Sequence, residues 1–209
     1  MTVDSLTSRQ GDQRTAIAMR AAELFARKGY AATSMNEIAE ASHLSKAGLY
    51  HHFTDKAEVL LHIADGHVSR LVDIVTGVEA LQLAPAQRLP ELIEAFMHEY
   101  AEAQWAHRVL TEDVRFLAPE AQARVLDKER TVVRVFADAV AAARPDLRAA
   151  QLHKPLTMFL FGMLNWMFTW YRAEGRFTYA EMAPIATQLF MNGISGLPAP
   201  PKKKARKPG

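Results

Sequence analysis

A cluster of side chains near the amino terminus has the chemistry of a DNA contact. Lys46, Ala47, Gly48, Tyr50, His51 and His52 crowd together, with Ser45 just before them and Lys56 just after. Lysine offers a cation to phosphate, tyrosine and histidine offer ring edges and polar tips to bases, and glycine lets a backbone come close. Thr33 and Ser34 lie upstream, where a helix start leaves backbone N–H groups that can bind a phosphate.

These residues need a rigid scaffold. The stretch 33–56 reads as two short helices joined by a tight turn. Ser34 caps the first, whose apolar face is Met35, Ile38 and Ala39. The turn is Ala41–Leu44, with Leu44 pointing back to the core. Ser45 caps the second, about 46–52, which turns Leu49 and Phe53 inward and leaves Lys46, Ala47, Tyr50 and His51 outward. This is a helix-turn-helix, whose second helix fits the major groove. A bracing helix precedes it over about 14–28, with Ile17, Ala21, Leu24 and Phe25 at helical spacing and Gly29 as its stop. A fourth helix starts at Asp55 with Glu58 as capping-box partner. It places Lys56 for a phosphate contact and carries an apolar stripe to about Ala80.

The stretch AAELFARKGYAATSMNEIAEASHLSKAGLYHHFTDKAEVL resembles the DNA-binding head of the TetR family. The resemblance rests on Leu24-Phe25, Gly29-Tyr30, Thr33-Ser34, Ile38-Ala39, Ala41, Leu44-Ser45, Gly48, Leu49-Tyr50, His52-Phe53, Lys56, Glu58 and Leu60. It implies an all-helical, homodimeric transcriptional regulator, usually a repressor of an operator that a small ligand releases. In that family the fourth helix links head to body and transmits the ligand signal.

The rest reads as a helical body, giving about nine helices in all and an all-α fold class. Pro85 and Pro90 punctuate a loop before a fifth helix containing Phe96. A sixth passes through Val109 and Phe116. A seventh runs from Pro119 to about Ala143 and sets Arg130 and Arg134 one turn apart. An eighth, 155–175, is apolar on every side, and a ninth spans about 179–194. An all-apolar helix needs cover on every face. A second copy meeting helices eight and nine would provide it, as the family resemblance also implies. The expected domains are a flexible terminus (1–12), a DNA-binding domain (13–57), a ligand-binding and dimerisation domain (58–197) and a disordered basic tail (198–209).

Asn165-Trp166 followed by Trp170-Tyr171-Arg172, together with the 111–120 segment, resembles the acyl-CoA-responsive branch of the family, the FadR-like and PaaR-like regulators. The implied effector is a CoA thioester. Its acyl group would enter a tunnel lined by Phe96, Phe116, Phe136, Phe159, Met163 and Met167. Trp166 or Trp170 would stack on adenine, and Arg115, Arg130, Arg134 and Arg172 are candidates for the phosphates. Core packing explains the tryptophans equally well. The alternative effector is a hydrophobic drug-like molecule that controls an efflux or stress gene.

Charge distribution fits this reading. The net charge of +2 includes five positive charges in the 202–207 run KKKARK, so the rest is slightly acidic. A basic head on an acidic body touches phosphates with one end. The tail either adds salt-sensitive DNA affinity or only solubilises. There are no cysteines, which excludes disulfides and thiolate chemistry. The histidines lack metal-binding spacings and no nucleophile motif occurs, so no metal, cofactor or enzymatic activity is expected. The longest apolar run, 156–171, is short of the roughly 20 residues a membrane span needs. The chain is expected to be cytoplasmic.

Overall fold

The computed structural model describes residues 3–171 and 175–198, with backbone alone for 3–10. Arg172 and the basic tail lie outside the described residues. Within them the chain is all-helical, with ten α-helices and two 3₁₀ turns. They are α1 (Val3–Lys28), α2 (Met35–Ala41), α3 (Lys46–His52), α4 (Lys56–Ala80), α5 (Pro85–Glu102), α6 (Gln104–Asp113), α7 (Pro119–Ala143), α8 (Pro145–Ala149), α9 (His153–Asn165) and α10 (Tyr179–Ser195). Contacts divide the chain into two compact units. One holds the residues up to Arg70 with Ala103–Lys128, the other Leu71–Glu102 with the residues from Glu129 on. The division falls inside α4 and inside α7, so it groups residues by packing and not by order along the chain.

The first unit is built on α1. Ile17, Ala21, Ala22 and Phe25 are buried along one stripe, against which α2 and α6 pack. Ile38, Leu49 and Phe53 close the head's core. α1 starts at Val3, not near Arg14 as the apolar spacing suggests. Apolar periodicity marks where a helix is buried, and the polar stretch before Arg14 contains no proline to break it.

The second unit is centred on α5, which packs most extensively against α10. Phe96 sits at its middle, ring centroid 4.7 Å from Phe136 of α7 and 6.3 Å from Phe161 of α9. α8 is a short helix, Pro145–Ala149. Two departures from the sequence expectation lie here. Pro90 is inside α5, not in a loop, where it removes one donor from the ladder. The expected long eighth helix ends as α9 at Asn165 and tightens into a 3₁₀ turn over Trp166–Thr169. Trp166, Phe168, Thr169 and Trp170 are poor helix formers in close succession.

Candidate nucleic-acid interface

Two serines start the helices of the head. Ser34 Oγ accepts from the Glu37 N–H at 3.3 Å while Glu37 Oε2 accepts from the Ser34 N–H at 2.8 Å, a closed capping box. Lys28 also bonds Glu37. Together these hold the Glu37 carboxyl down at about 2, the lysine being the larger cause. Ser45 Oγ accepts from the Gly48 N–H at 3.1 Å. A Cβ on Gly48 would stand 3.3 Å from that oxygen, so the glycine leaves room for the cap of its own helix.

The turn between α2 and α3 is a Schellman motif. Leu44 N–H donates to Ala39 O at 2.9 Å and His43 N–H to Glu40 O at 3.0 Å. His43 takes the left-handed position, φ 55°, usually held by glycine.

Two side chains clamp the end of α3, and a third ties the start of α4 to the loop after α1. Arg14 of α1 donates to the His52 carbonyl, pairs with Glu58 Oε1 at 2.9 Å and lies 4.2 Å over the Phe53 ring. Glu58 Oε2 accepts from the Thr54 N–H at 2.7 Å. That bond and then Arg14 hold the Glu58 carboxyl at about 2. Lys56 Nζ donates to the carbonyls of Tyr30 and Thr33, each at 2.7 Å, and lies 4.4 Å from the Tyr30 ring.

The face that results is smaller than the set named from the sequence. Lys46, Ala47, Tyr50 and His51 are exposed on α3, with Lys46 Nζ 6.0 Å from the Tyr50 ring. Ser34 and Ser45 are exposed caps, and Gly48 is half-buried. His52 is half-buried, and burial first, then His51 and Arg14, push its imidazole towards the neutral form. Thr33 is only 2% exposed and donates to Gly29 O at 3.0 Å. Lys56 is committed to carbonyls instead of standing out for a phosphate. Arg14 escaped the sequence reading because nothing in its spacing distinguishes it from a solvated basic residue.

The residues proposed for the effector are divided between the two compact units, Arg115 and Phe116 in the first and the others described in the second. Phe96 and Phe136 are fully buried against each other. Phe116 stacks on Tyr30 at 5.1 Å, with Arg115 5.0 Å from its ring. Arg130 and Arg134 are exposed and Met163 is half-buried. Phe159 (72%), Trp166 (64%) and Trp170 (53%) face outward in the single chain. Met167 is buried. Tyr100, fully buried on α5, donates to Asn165 Oδ1 at 2.9 Å and so ties down the end of α9. Among the described residues no group of His, Asp and Glu could hold a metal, and no helix is long and apolar enough to cross a membrane.

Comparison with known proteins supplies the context. The family described as "Bacterial regulatory proteins, tetR family" matches residues 17–63, and "Tetracyclin repressor-like, C-terminal domain" matches 82–194. A TetR-family transcriptional regulator from Bordetella parapertussis superposes with a TM-score of 0.82 at 34% identity, covering 90% of this chain and 98% of its own. The activator FasR of Mycolicibacterium smegmatis is 32% identical over 114 residues, 54% of this chain. That match spans 52% of FasR, about half its length. The structure of AibR in complex with isovaleryl coenzyme A and operator DNA has the same fold, with a TM-score of 0.71 at 23% identity over 90% of this chain and 99% of that one.

Proposed function

Because the chain belongs to the TetR family and is therefore a ligand-responsive transcriptional regulator and not an enzyme, we propose that it is a dimeric repressor of a palindromic operator, released by an acyl- or arylacyl-CoA thioester. The observation that carries the DNA reading is the exposed face of α3, where Lys46, Ala47, Tyr50 and His51 stand clear of every clamp that holds the helix. Ser34, Ser45 and Gly48 keep that face in shape, and Thr33, His52 and Lys56 support it from behind. A helix held this firmly reads base edges with little backbone left to order on binding.

Dimerisation is supported by uncovered apolar surface in the second unit. Met158 and Phe159 of α9 and Ile185 and Leu189 of α10 are each about half to three-quarters exposed. A single soluble chain rarely leaves such a patch bare.

The CoA thioester is supported by the fold shared with AibR and by exposed Trp166, Trp170, Arg130 and Arg134, groups suited to adenine and phosphates. Arg115 is kept for the phosphates. Phe96, Phe116 and Met163 are kept for the acyl end, whose opening requires the Phe96–Phe136–Phe161 cluster to part.

The test is a titration of the protein on the DNA segment upstream of its own gene. Isovaleryl-, phenylacetyl- and palmitoyl-CoA are then added, with their free acids as controls. Release by a thioester and not by its acid is expected. Release only by a hydrophobic drug-like compound would transfer the reading to an efflux or stress regulator, and no shift of the DNA would reject the repressor.

A further inference from the structure

Every buried residue of α4 is apolar except one. His67 stands between Ile63 and Leu71 at four-residue spacing, a core position, and is 0% exposed. It meets His107 of α6, itself 4% exposed, edge to face with ring centroids 5.4 Å apart. His67 Nε2 lies 3.3 Å from His107 Nδ1, and Arg70 Nη2 lies 3.3 Å from His67 Nδ1.

Chemistry fixes the direction of this relay. A guanidinium donates and never accepts. His67 Nδ1 is therefore the acceptor, the His67 proton sits on Nε2, and Nε2 donates to His107 Nδ1. His107 in turn carries its proton on Nε2. One surface cation thus sets the tautomers of two buried rings.

Apolar side chains tolerate a small slide or rotation of one helix on another, whereas a directional hydrogen bond in a dry interface does not. Buried polar groups in helical interfaces are best attested as devices that fix register. The register of α4 matters to α3. Eleven residues before His67, about 16 Å along the helix, Lys56 holds the carbonyls of Tyr30 and Thr33. Glu58 holds Arg14, which holds the His52 carbonyl at the end of α3. All of these residues lie within one compact unit.

We propose that the Arg70–His67–His107 relay is a register pin between α4 and α6, and that His67 is a positioning residue for the DNA-reading face of α3. The proposal rests on the DNA-binding reading above. A chain of contacts is not by itself evidence of coupling, so the test compares substitutions that differ in hydrogen bonding at one site.

His67→Gln keeps an N–H close to the ε position, and His107→Asn keeps an acceptor close to Nδ1. His67→Leu and His107→Leu keep the bulk and lose the bond. Binding to the DNA upstream of the gene is measured for each, with thermal unfolding and amide hydrogen exchange alongside. His67→Leu is expected to weaken DNA binding on the order of tenfold or more, His67→Gln and His107→Asn by less than about threefold. The double leucine variant should bind more tightly than the product of the single losses, because the pair acts as a unit. Exchange over 56–70 should quicken in His67→Leu while α10 stays as it was. Equal binding by His67→Leu and the unaltered protein overturns the proposal, and so does equal loss in His67→Gln and His67→Leu. If His67→Leu does not fold, His107→Leu against His107→Asn decides in the same way. If the unaltered protein ignores the DNA, the repressor reading fails on its own. The exchange comparison then judges the pin, and unchanged exchange over 56–70 in His67→Leu rejects it.

Discussion

Lys46 and Lys56 are close in sequence and carry the same charge, yet their ammonium groups have different surroundings. Lys46 is exposed, with its ammonium 6.0 Å from the Tyr50 ring. Lys56 is held by backbone carbonyls from the loop after α1. Lys56→Ala should therefore lower the unfolding midpoint, with a cost of about 2 kcal/mol for bonds to a charged donor. Lys46→Ala should change stability by less than about 0.5 kcal/mol, and reduce the salt slope of DNA binding by about one. Thermal unfolding and a salt titration check both. An unchanged midpoint for Lys56→Ala would mean that its bonds to the carbonyls add nothing. From the sequence both lysines read as cations for phosphate. Their types and spacing were legible, but where the 29–33 loop folds back was not, because a loop carbonyl leaves no mark on the composition. The burial of the Thr33 side chain was hidden for the same reason. His67 did leave a mark, a polar residue at an apolar position of the α4 stripe.

At the scale of elements, the helix-turn-helix was legible down to its caps, because Ser34 with Glu37 and Ser45 with Gly48 are local signals. The turn itself holds a less expected detail. His43 occupies the left-handed conformation at φ 55°, where an L-residue with a side chain is strained. His43→Gly should relieve that strain and stabilise the head by about 0.5–1 kcal/mol, the strain released less the entropy that glycine loses. Chemical denaturation of the two proteins side by side measures it, and a destabilised glycine variant would show that the His43 side chain contributes more than its strain costs. Element ends were less legible than element existence. Pro90 looked like a boundary, yet a proline in an early helical turn removes one donor and the rest of α5 supplies the binding energy through Leu92, Ile93, Phe96 and Met97, all fully buried. The break after Asn165 is set by the crowding of aromatic and β-branched side chains and by the Tyr100 bond to Asn165, and a hydropathy pattern shows neither.

At the scale of the whole molecule, the exposed apolar groups on α9 and α10 are the surface on which the proposed dimer rests. Phe159 is 72% exposed and Leu189 63%, so charging them alters little inside one chain. Phe159→Glu with Leu189→Glu should leave a folded monomer in sedimentation, with DNA affinity reduced by 100-fold or more, on the order expected when a second linked head is lost. A dimer that persists in that variant would move the interface elsewhere. The all-apolar run was legible in the sequence, but which side of it faces out was not, since α9 ends sooner than its hydropathy suggests. That early end has an optical consequence. The chain contains three tryptophans, and Trp105, Trp166 and Trp170 are 39%, 64% and 53% exposed. The fully packed aromatic rings of the core, Phe25, Phe53, Phe96, Phe136 and Tyr100, are poor emitters beside indole. In the single chain the fluorescence therefore comes from wet surface sites alone. Any partner or ligand that dries one of them announces itself as a blue shift, with no label attached.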